Sequence, residues 1–300
     1  MIYDAELALR DGDQLRAADD YLVCLRIAVQ IPHFAILSVR NDADKLQVAL
    51  FNALSDNFAR HRFTDPAAVH DLLAGLVAAD SDRWPLTQTL RAEYAAARDW
   101  LGSTPDEQKQ SYLGTSGPTA IPPLTLTGMR WRDPLTVGET RLLAPPPLRI
   151  LTALFARKVH ALDSDPLGAL RNEIAEDRTS IPELTGLVSR DAPLRLFVRD
   201  EAFAVARLRG VTLQTALLAY RLDHHAFPPT LDALIPKYLS AIPLDPFDGQ
   251  PLRFRRDPQG VTLWSIGPDF TDQSGRIPLT PRDANRGTPG DLVWSLPAPK

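Results

Sequence analysis

The stretch FAVARLRGVTLQTALLAYRLDHHAFPP, residues 203–229, decides the fold of the C-terminal part of this chain. Apolar and small residues recur in it at steps of three and four, the spacing of one face of an α-helix. They are Phe203, Ala206, Gly210, Leu213, Leu217 and Tyr220. The pattern predicts a helix from about Pro193 to His224. Pro228 and Pro229 end it, because proline lacks a backbone N–H and disfavours helical geometry in the residue before it.

Beyond these prolines the period of the apolar residues changes from helical to strand-like. Residues 252–255 and Val261–Ile266 alternate between apolar and polar positions, and the turn sequence Asp257-Pro-Gln-Gly260 separates them, which predicts a hairpin. Leu292–Leu296 supplies a third strand. We therefore predict an α+β unit in which one long helix packs on a small three-stranded antiparallel sheet.

Upstream of this unit the apolar residues recur only at helical spacing. Asp65-Pro66 combines a capping residue with a proline at the first helical position, which is typical of a helix start. We predict an all-α helical domain over residues 1–114 and a connector over 115–147, where many prolines and glycines exclude a long helix. Residues 148–300 then form the α+β domain with its preceding helices.

Composition excludes several classes of protein. The formal net charge is −4 and the pI is about 5.9, so the basic footprint of a nucleic-acid-binding protein is missing. One cysteine, Cys24, excludes an internal disulfide and a cysteine-based zinc site, and we expect it to be a small core residue. No run of about 20 apolar residues predicts a membrane span. The acidic first residues do not resemble a signal peptide, and a native anchor upstream of Met1 is left open.

The C-terminal third resembles a known family. The run YRLDHHAFPPTLDALIPKYLSAIPLDPFDGQPLRF (residues 220–254), the run LWSIGPD (residues 263–269) and Asp291 resemble the globular domain of type II secretion major pseudopilins. Pseudopilins begin with an apolar helix that builds the filament core, whereas some 190 residues stand in its place here. The whole chain looks similar to large envelope proteins of planctomycete-type bacteria that share this C-terminal pattern.

The resemblance implies a calcium site in the loop between the last two strands. Asp269 and Asp291 match the aspartates with which the family binds calcium, and Asp272 is our third candidate ligand. The chemistry agrees, because Ca²⁺ takes six to eight oxygen ligands and long loops without regular structure are uncommon unless functional. The alternative is a solvated acidic loop whose aspartates form turns. We expect a Ca²⁺ ion.

Two further groups of residues allow two interpretations each. Asp223-His224-His225 is typical of a helix C-terminus, where histidine is favoured by the dipole, but the same residue types form metal and phosphoesterase sites. Trp264 and Trp294 lie on neighbouring predicted strands, where they form structural packing or an exposed aromatic patch. No nucleophile or phosphate-loop motif is present, so we predict no catalytic residue.

These observations favour a non-enzymatic scaffold or interaction protein of the cell envelope, secretion-related and extracytoplasmic, with a protein partner that the sequence does not identify. Two alternatives stay open. One is a metal-dependent hydrolase with a site between the two domains, and the other is a soluble, cytoplasmic helical adaptor.

Overall fold

A computed structural model of the chain describes residues 1–30, 37–102, 156–175, 192–276 and 290–298. The helices are α1 (Ile2–Arg10), α2 (Gln14–Gln30), α3 (Leu37–Ala59), α4 (Pro66–Ser81), α5 (Leu86–Gly102), α6 (Pro166–Ala175) and α7 (Ala192–His224). Residues 156–164 are also helical. The strands are β1 (Arg253–Asp257), β2 (Gly260–Ser265) and β3 (Leu292–Pro297). The predicted α+β class, helical at the N-terminus, is therefore confirmed.

The chain divides into two compact units. One contains Met1–Ile31, Asp42–Arg83 and Asp200–Lys300, and the other contains Pro32–Asn41 and Trp84–Arg199. N-terminal helices thus share a unit with the C-terminal sheet, an arrangement that the sequence pattern did not predict. The predicted connector, 115–147, and both of its boundaries lie outside the described residues, so the predicted succession of segments stays a prediction.

Two helices begin at aspartate–proline pairs, α4 at the predicted Asp65-Pro66 and α6 at Asp165-Pro166. The side chain of Asp65 accepts a hydrogen bond from the backbone N–H of Ala67, and Pro66 is the first residue of α4. Asp165 accepts from the backbone N–H of Gly168 at 2.9 Å in the first turn of α6. Each carboxylate satisfies a backbone donor that the first helical turn leaves unpaired, which fixes the helix start locally.

Helix α7 is the centre of the first unit. Its bounds agree with the prediction, but every residue of the range 210–219 is buried, so more than one face is covered. Several polar atoms in this stretch find partners locally or in the sheet, whereas the amide oxygen of Gln214 is buried without a partner in the described part of the chain. The hydroxyls of Thr212 and Thr215 donate to carbonyls one turn earlier, and Gln214 Nε2 donates to the carbonyl of Ser295. Such partners offset the cost of burying polar groups in a helix that is covered all round.

The sheet covers one side of α7. Its strand order is β1-β2-β3 and both pairs are antiparallel. The β1–β2 turn is tight, with Asp257 accepting from the N–H of Gln259. Gly260 follows with a φ of +139°, and a Cβ there would lie 2.1 Å from the carbonyl oxygen of Leu296. The turn therefore requires glycine at this position.

The register of β2 and β3 separates the two tryptophans. Trp264 lies opposite Val293, whereas Trp294 lies opposite Leu263, so the two indoles point to opposite faces of the sheet. Trp294 packs against α7 at Gly210, where a Cβ would lie 2.4 Å from the indole ring. Both indoles are buried. The structural interpretation of this pair is confirmed, and the exposed aromatic patch is wrong.

The N-terminal helices cover α7 elsewhere. Arg209 pairs with Asp80 at 3.1 Å, and Asp223 lies 3.4 Å from His70, so α4 runs antiparallel to α7. Nearer the start of α7, Glu201 pairs with Arg83 at 3.0 Å. Glu201 and Arg209 of α7 thus bind residues of the N-terminal region.

Candidate functional site

The β2–β3 loop, residues 266–291, is the region in which the sequence predicts a metal site; the structure describes it at 266–276 and 290–291. It opens with a single 3₁₀ turn at Gly267–Asp269. Phe270 follows with a φ of 55°, a left-handed conformation that asparagine or glycine adopts more readily. The ring of Phe270 packs edge-on against that of Phe247, with the ring centroids 6.2 Å apart. The turn sends the chain back across β2.

Asp291, at the C-terminal end of this loop, is hydrogen-bonded to residues near its N-terminal end. Its side chain is buried, and its two oxygens accept hydrogen bonds from the backbone N–H groups of Gln273 (3.2 Å) and Gly275 (2.6 Å). The N–H of Asp291 donates to the carbonyl of Arg276 at 3.0 Å. Burial raises the pKa of the Asp291 carboxyl, while the two amide donors oppose that shift. One buried carboxylate thereby closes the loop.

Of the other two predicted ligands, Asp269 belongs to the hydrogen-bond network of Asp291 and Asp272 binds elsewhere. Asp269 accepts from the N–H of Thr271 and, at 2.7 Å, from Nε2 of Gln273. Since the backbone N–H of Gln273 donates to Asp291, this glutamine links the two aspartates. Asp272 turns the other way and accepts from Trp264 Nε1 (2.9 Å).

The loop offers oxygen atoms, the type of ligand that a hard cation such as Ca²⁺ prefers. Among the described residues no group of three or more His, Cys, Asp or Glu side chains is placed to hold a metal ion. The amide oxygen of Gln273, however, is buried and has no hydrogen-bond partner within the described part of the chain. Amide and carboxylate oxygens are both ligands that calcium takes. Asp283, a weaker candidate on sequence grounds, lies outside the described residues.

Beneath the loop, Asp245 organises a second network that the sequence pattern did not reveal. Its buried carboxylate accepts from the N–H groups of Phe247 and Ile266, the hydroxyl of Ser265 and the guanidinium of Arg253. Burial raises the pKa of Asp245, and these donors oppose the shift. Asp245 begins the Asp-Pro-aromatic motif Asp245-Pro-Phe247, which is part of the run that carries the family resemblance. The motif marks Asp245 as a residue of interest, but it does not indicate which groups elsewhere in the chain the carboxylate binds.

Arg253 is the cation of this network. It donates to Asp245 at 2.9 Å and pairs with Asp248, and its side chain is only 19% exposed. A run of three arginines at 253, 255 and 256 is typical of a solvated sheet face, but Arg253 is instead largely buried in this network. Arg255 lies over the ring of Trp264, with 5.5 Å between its guanidinium carbon and the ring centroid.

A third cluster surrounds Asp223 at the end of α7. Oδ2 of Asp223 accepts from Lys237 Nζ and from the Tyr238 hydroxyl, both at 2.7 Å, and Oδ1 faces His70 Nε2 at 3.4 Å. The hydrogen bond from Lys237 is the main reason that the pKa of Asp223 falls well below its usual value. The carboxylate is thus engaged by a lysine, a tyrosine and a histidine of the fold.

The two histidines beside Asp223 terminate the helix. α7 ends at His224, and His225 takes a φ of 56°, the left-handed conformation that commonly follows a helix. The ring of His224 lies 4.2 Å from that of Tyr220. These positions agree with the helix-terminus interpretation of the Asp-His-His run.

Cys24 lies in the helical core, as expected. Its side chain is buried on α2, and burial raises the pKa of the thiol, which keeps it protonated.

No protein-family model, curated protein or solved structure matches the chain. In the described part of the chain, no helix combines the length and the apolar character that crossing a membrane requires. The assignment of function therefore depends on the geometry above.

Proposed function

We propose that this chain is a non-enzymatic interaction protein of the cell envelope whose C-terminal unit is built like a pseudopilin head and binds calcium in its β2–β3 loop. The observation that carries the proposal is the loop closure itself. Asp269, Gln273 and Asp291 form one hydrogen-bonded chain, and the buried amide oxygen of Gln273 has no partner among the residues that the structure describes.

The order of elements supports the pseudopilin-like part of this proposal. A long helix is followed by a short 3₁₀ turn at Leu231–Leu234, an Asp-Pro-aromatic motif, a hairpin, a long acidic loop and a final strand. The Asp-Pro-aromatic carboxylate holds the end of β2 through Ser265 and Ile266. Each motif that carries the resemblance thus has a physical task in this unit.

The hydrogen bonding of two carboxylates, Asp223 and Asp245, supports a structural role for these residues. Several donors converge on each of the carboxylates of Asp223 and Asp245, and those donors are side chains and N–H groups of the fold itself. Charge-assisted hydrogen bonds of this kind stabilise an arrangement of elements. We therefore assign both clusters to the framework that presents the loop.

Thermal unfolding with excess Ca²⁺ and then with a chelator tests the calcium site. A ligand that binds only the folded state adds about 2.7 kcal/mol at a hundred times its Kd. For a unit of this size we expect Tm to rise by several degrees. Asp269→Asn should remove most of that rise, because it keeps an acceptor for Gln273 but deletes a charged ligand.

Asp71→Asn is the matched control, since Asp71 is an exposed carboxylate on α4 far along the chain from the loop. It should leave the calcium response intact. An unchanged Tm in the wild-type chain, or an equal rise in the Asp269→Asn variant, would overturn the calcium site.

Localisation tests the envelope assignment separately. In cells that make the full protein, we expect it to fractionate with the envelope and to be cleaved by external protease once the outer barrier is permeabilised. Recovery with cytosolic markers, protected from protease, would contradict the proposal and favour the helical adaptor.

A further inference from the structure

Helix α2 exposes an apolar stripe that the fold does not use. Its inner side is buried against the rest of the unit through residues such as Tyr21 and Leu25. On its outer side Val23 is 41% exposed and Ile27 is 37% exposed, and Leu15 continues the same side two turns earlier at 47%. Positions separated by four or eight residues lie on one side of a helix. Single exposed apolar residues are ordinary, but a row of them on one helix is a candidate contact surface.

The same side carries two opposite charges that bracket the stripe. Asp19 precedes Val23 by four residues and Arg26 follows it by three, and both are exposed. Neither makes an ion pair or a side-chain hydrogen bond with any residue in the described ranges. Seven residues separate them, a rise of about 10 Å, which is too far for them to pair with each other.

This charge pattern is complementary to itself. When two copies of α2 lie antiparallel with Val23 at the two-fold axis, residue 19 of each copy lies beside residues 26 and 27 of the other. Asp19 then meets Arg26 of the second copy twice, once on either side of the axis, and the valines meet in the middle. An isologous interface has this property, because the same patch serves both partners.

We propose that the outer side of α2 is a self-association surface and that its occupant is a second copy of this chain. The pairing is antiparallel and is set by the two Asp19–Arg26 contacts. A helix of 17 residues is about 25 Å long, so the contact area is at the low end for a specific interface. The dimer is consequently weak and dissociates on dilution, and added salt weakens it further.

Charge reversal gives a test with an internal control. Sedimentation velocity of the full chain over a wide concentration range should show reversible dimerisation at low salt. Asp19→Arg places two arginines against each other, and Arg26→Asp places two aspartates against each other, so each variant alone should associate ~tenfold or more weakly. An equimolar mixture of the two variants should form a heterodimer, because opposite charges then meet at both positions.

The double variant Asp19→Arg with Arg26→Asp should dimerise again, since it only exchanges the two signs. Both residues are exposed, so the circular dichroism and Tm of every variant should match those of the wild-type chain. A wild-type chain that stays monomeric throughout overturns the proposal. A dimer that persists in both single variants also overturns it, because the interface would then lie elsewhere.

Discussion

The N-terminal helices and the C-terminal sheet both pack against α7, but they are held there by different chemistry. On the helical side the specific contacts are ion pairs, with Arg83 donating to both oxygens of Glu201. On the sheet side the indole of Trp294 packs so near Gly210 that a Cβ there would lie 2.4 Å from the ring. The polar bonds there go to main-chain carbonyls of β3, such as that from Gln214.

This difference separates two ways of joining distant segments. An ion pair fixes which elements meet, because a buried charge without its partner is costly, but it depends on charge and pH. A packed indole depends on shape and tolerates changes of pH and salt. We expect substitutions on the two sides of α7 to differ accordingly.

The largest effect should come from Arg83→Leu. The guanidinium is 11% exposed and binds Glu201, Gln47 and Asp44, so its loss leaves buried acceptors without their cation. We expect a loss of about 3–5 kcal/mol in the free energy of unfolding, measured by urea denaturation. Arg91→Leu is the control, because Arg91 and Asp163 form an ion pair that is 47% exposed on each side and should be worth ~1 kcal/mol or less. Equal losses would show that burial of the pair on the helical side is unimportant.

On the sheet side, Gly210→Ala should cost about 1–3 kcal/mol by overpacking. The added Cβ would lie 2.4 Å from the rigid indole of Trp294. Gly75→Ala on α4 is the matched variant, because its Cβ would meet a terminal methyl of Leu22, which can rotate away. Alanine also favours a helix over glycine by ~1 kcal/mol, so Gly75→Ala should be close to neutral. Thermal unfolding, with near-ultraviolet circular dichroism to follow Trp294, compares the two. If Gly210→Ala lost as little stability as Gly75→Ala, the indole of Trp294 would not be rigidly packed against α7, which would contradict this prediction.

The smallest effect should be the pH dependence of Asp223→Asn. Folding lowers the pKa of Asp223 below its ordinary 3.8, so its stabilisation is complete above that value and is lost as the pH falls below it. The contribution is small, because the lysine that pairs with Asp223 is exposed to solvent at the edge of the fold. The penalty of the variant should therefore shrink in urea unfolding series taken from about pH 5 downward.

Asp291 should behave in the opposite sense, because burial raises its pKa. Protonation of Asp291 favours the folded state, so the stability that it contributes is present below 3.8 and declines as the pH rises through its raised pKa. Acid thus weakens the contacts of Asp223 but not the loop closure that Asp291 makes. A penalty for Asp223→Asn that grew with acid would contradict this assignment, and Asp71→Asn should show no such trend.

Sequence patterns predicted the secondary structure around the candidate site well and the contacts within it poorly. Gln273 joins Asp269 to Asp291, whereas Asp272 turns toward Trp264 and away from the other two. Gln273, which joins Asp269 to Asp291, had no signal, because a single glutamine in a loop belongs to no metal-binding motif. Asp245 had a motif but no visible partner, since the groups that donate to it from β2 lie at the far end of that strand.

What the sequence determined by itself was local. The start of α4 at Pro66, the length of α7 and the alternation of β1 and β2 each depend on residues a few positions apart, whose sterics and hydrogen bonds act without the rest of the fold. Only the tertiary structure decided that the N-terminal helices and the sheet both cover α7. The reason is that Arg83 and Glu201 are 118 positions apart, and no local pattern records which of many surface charges will be buried against which.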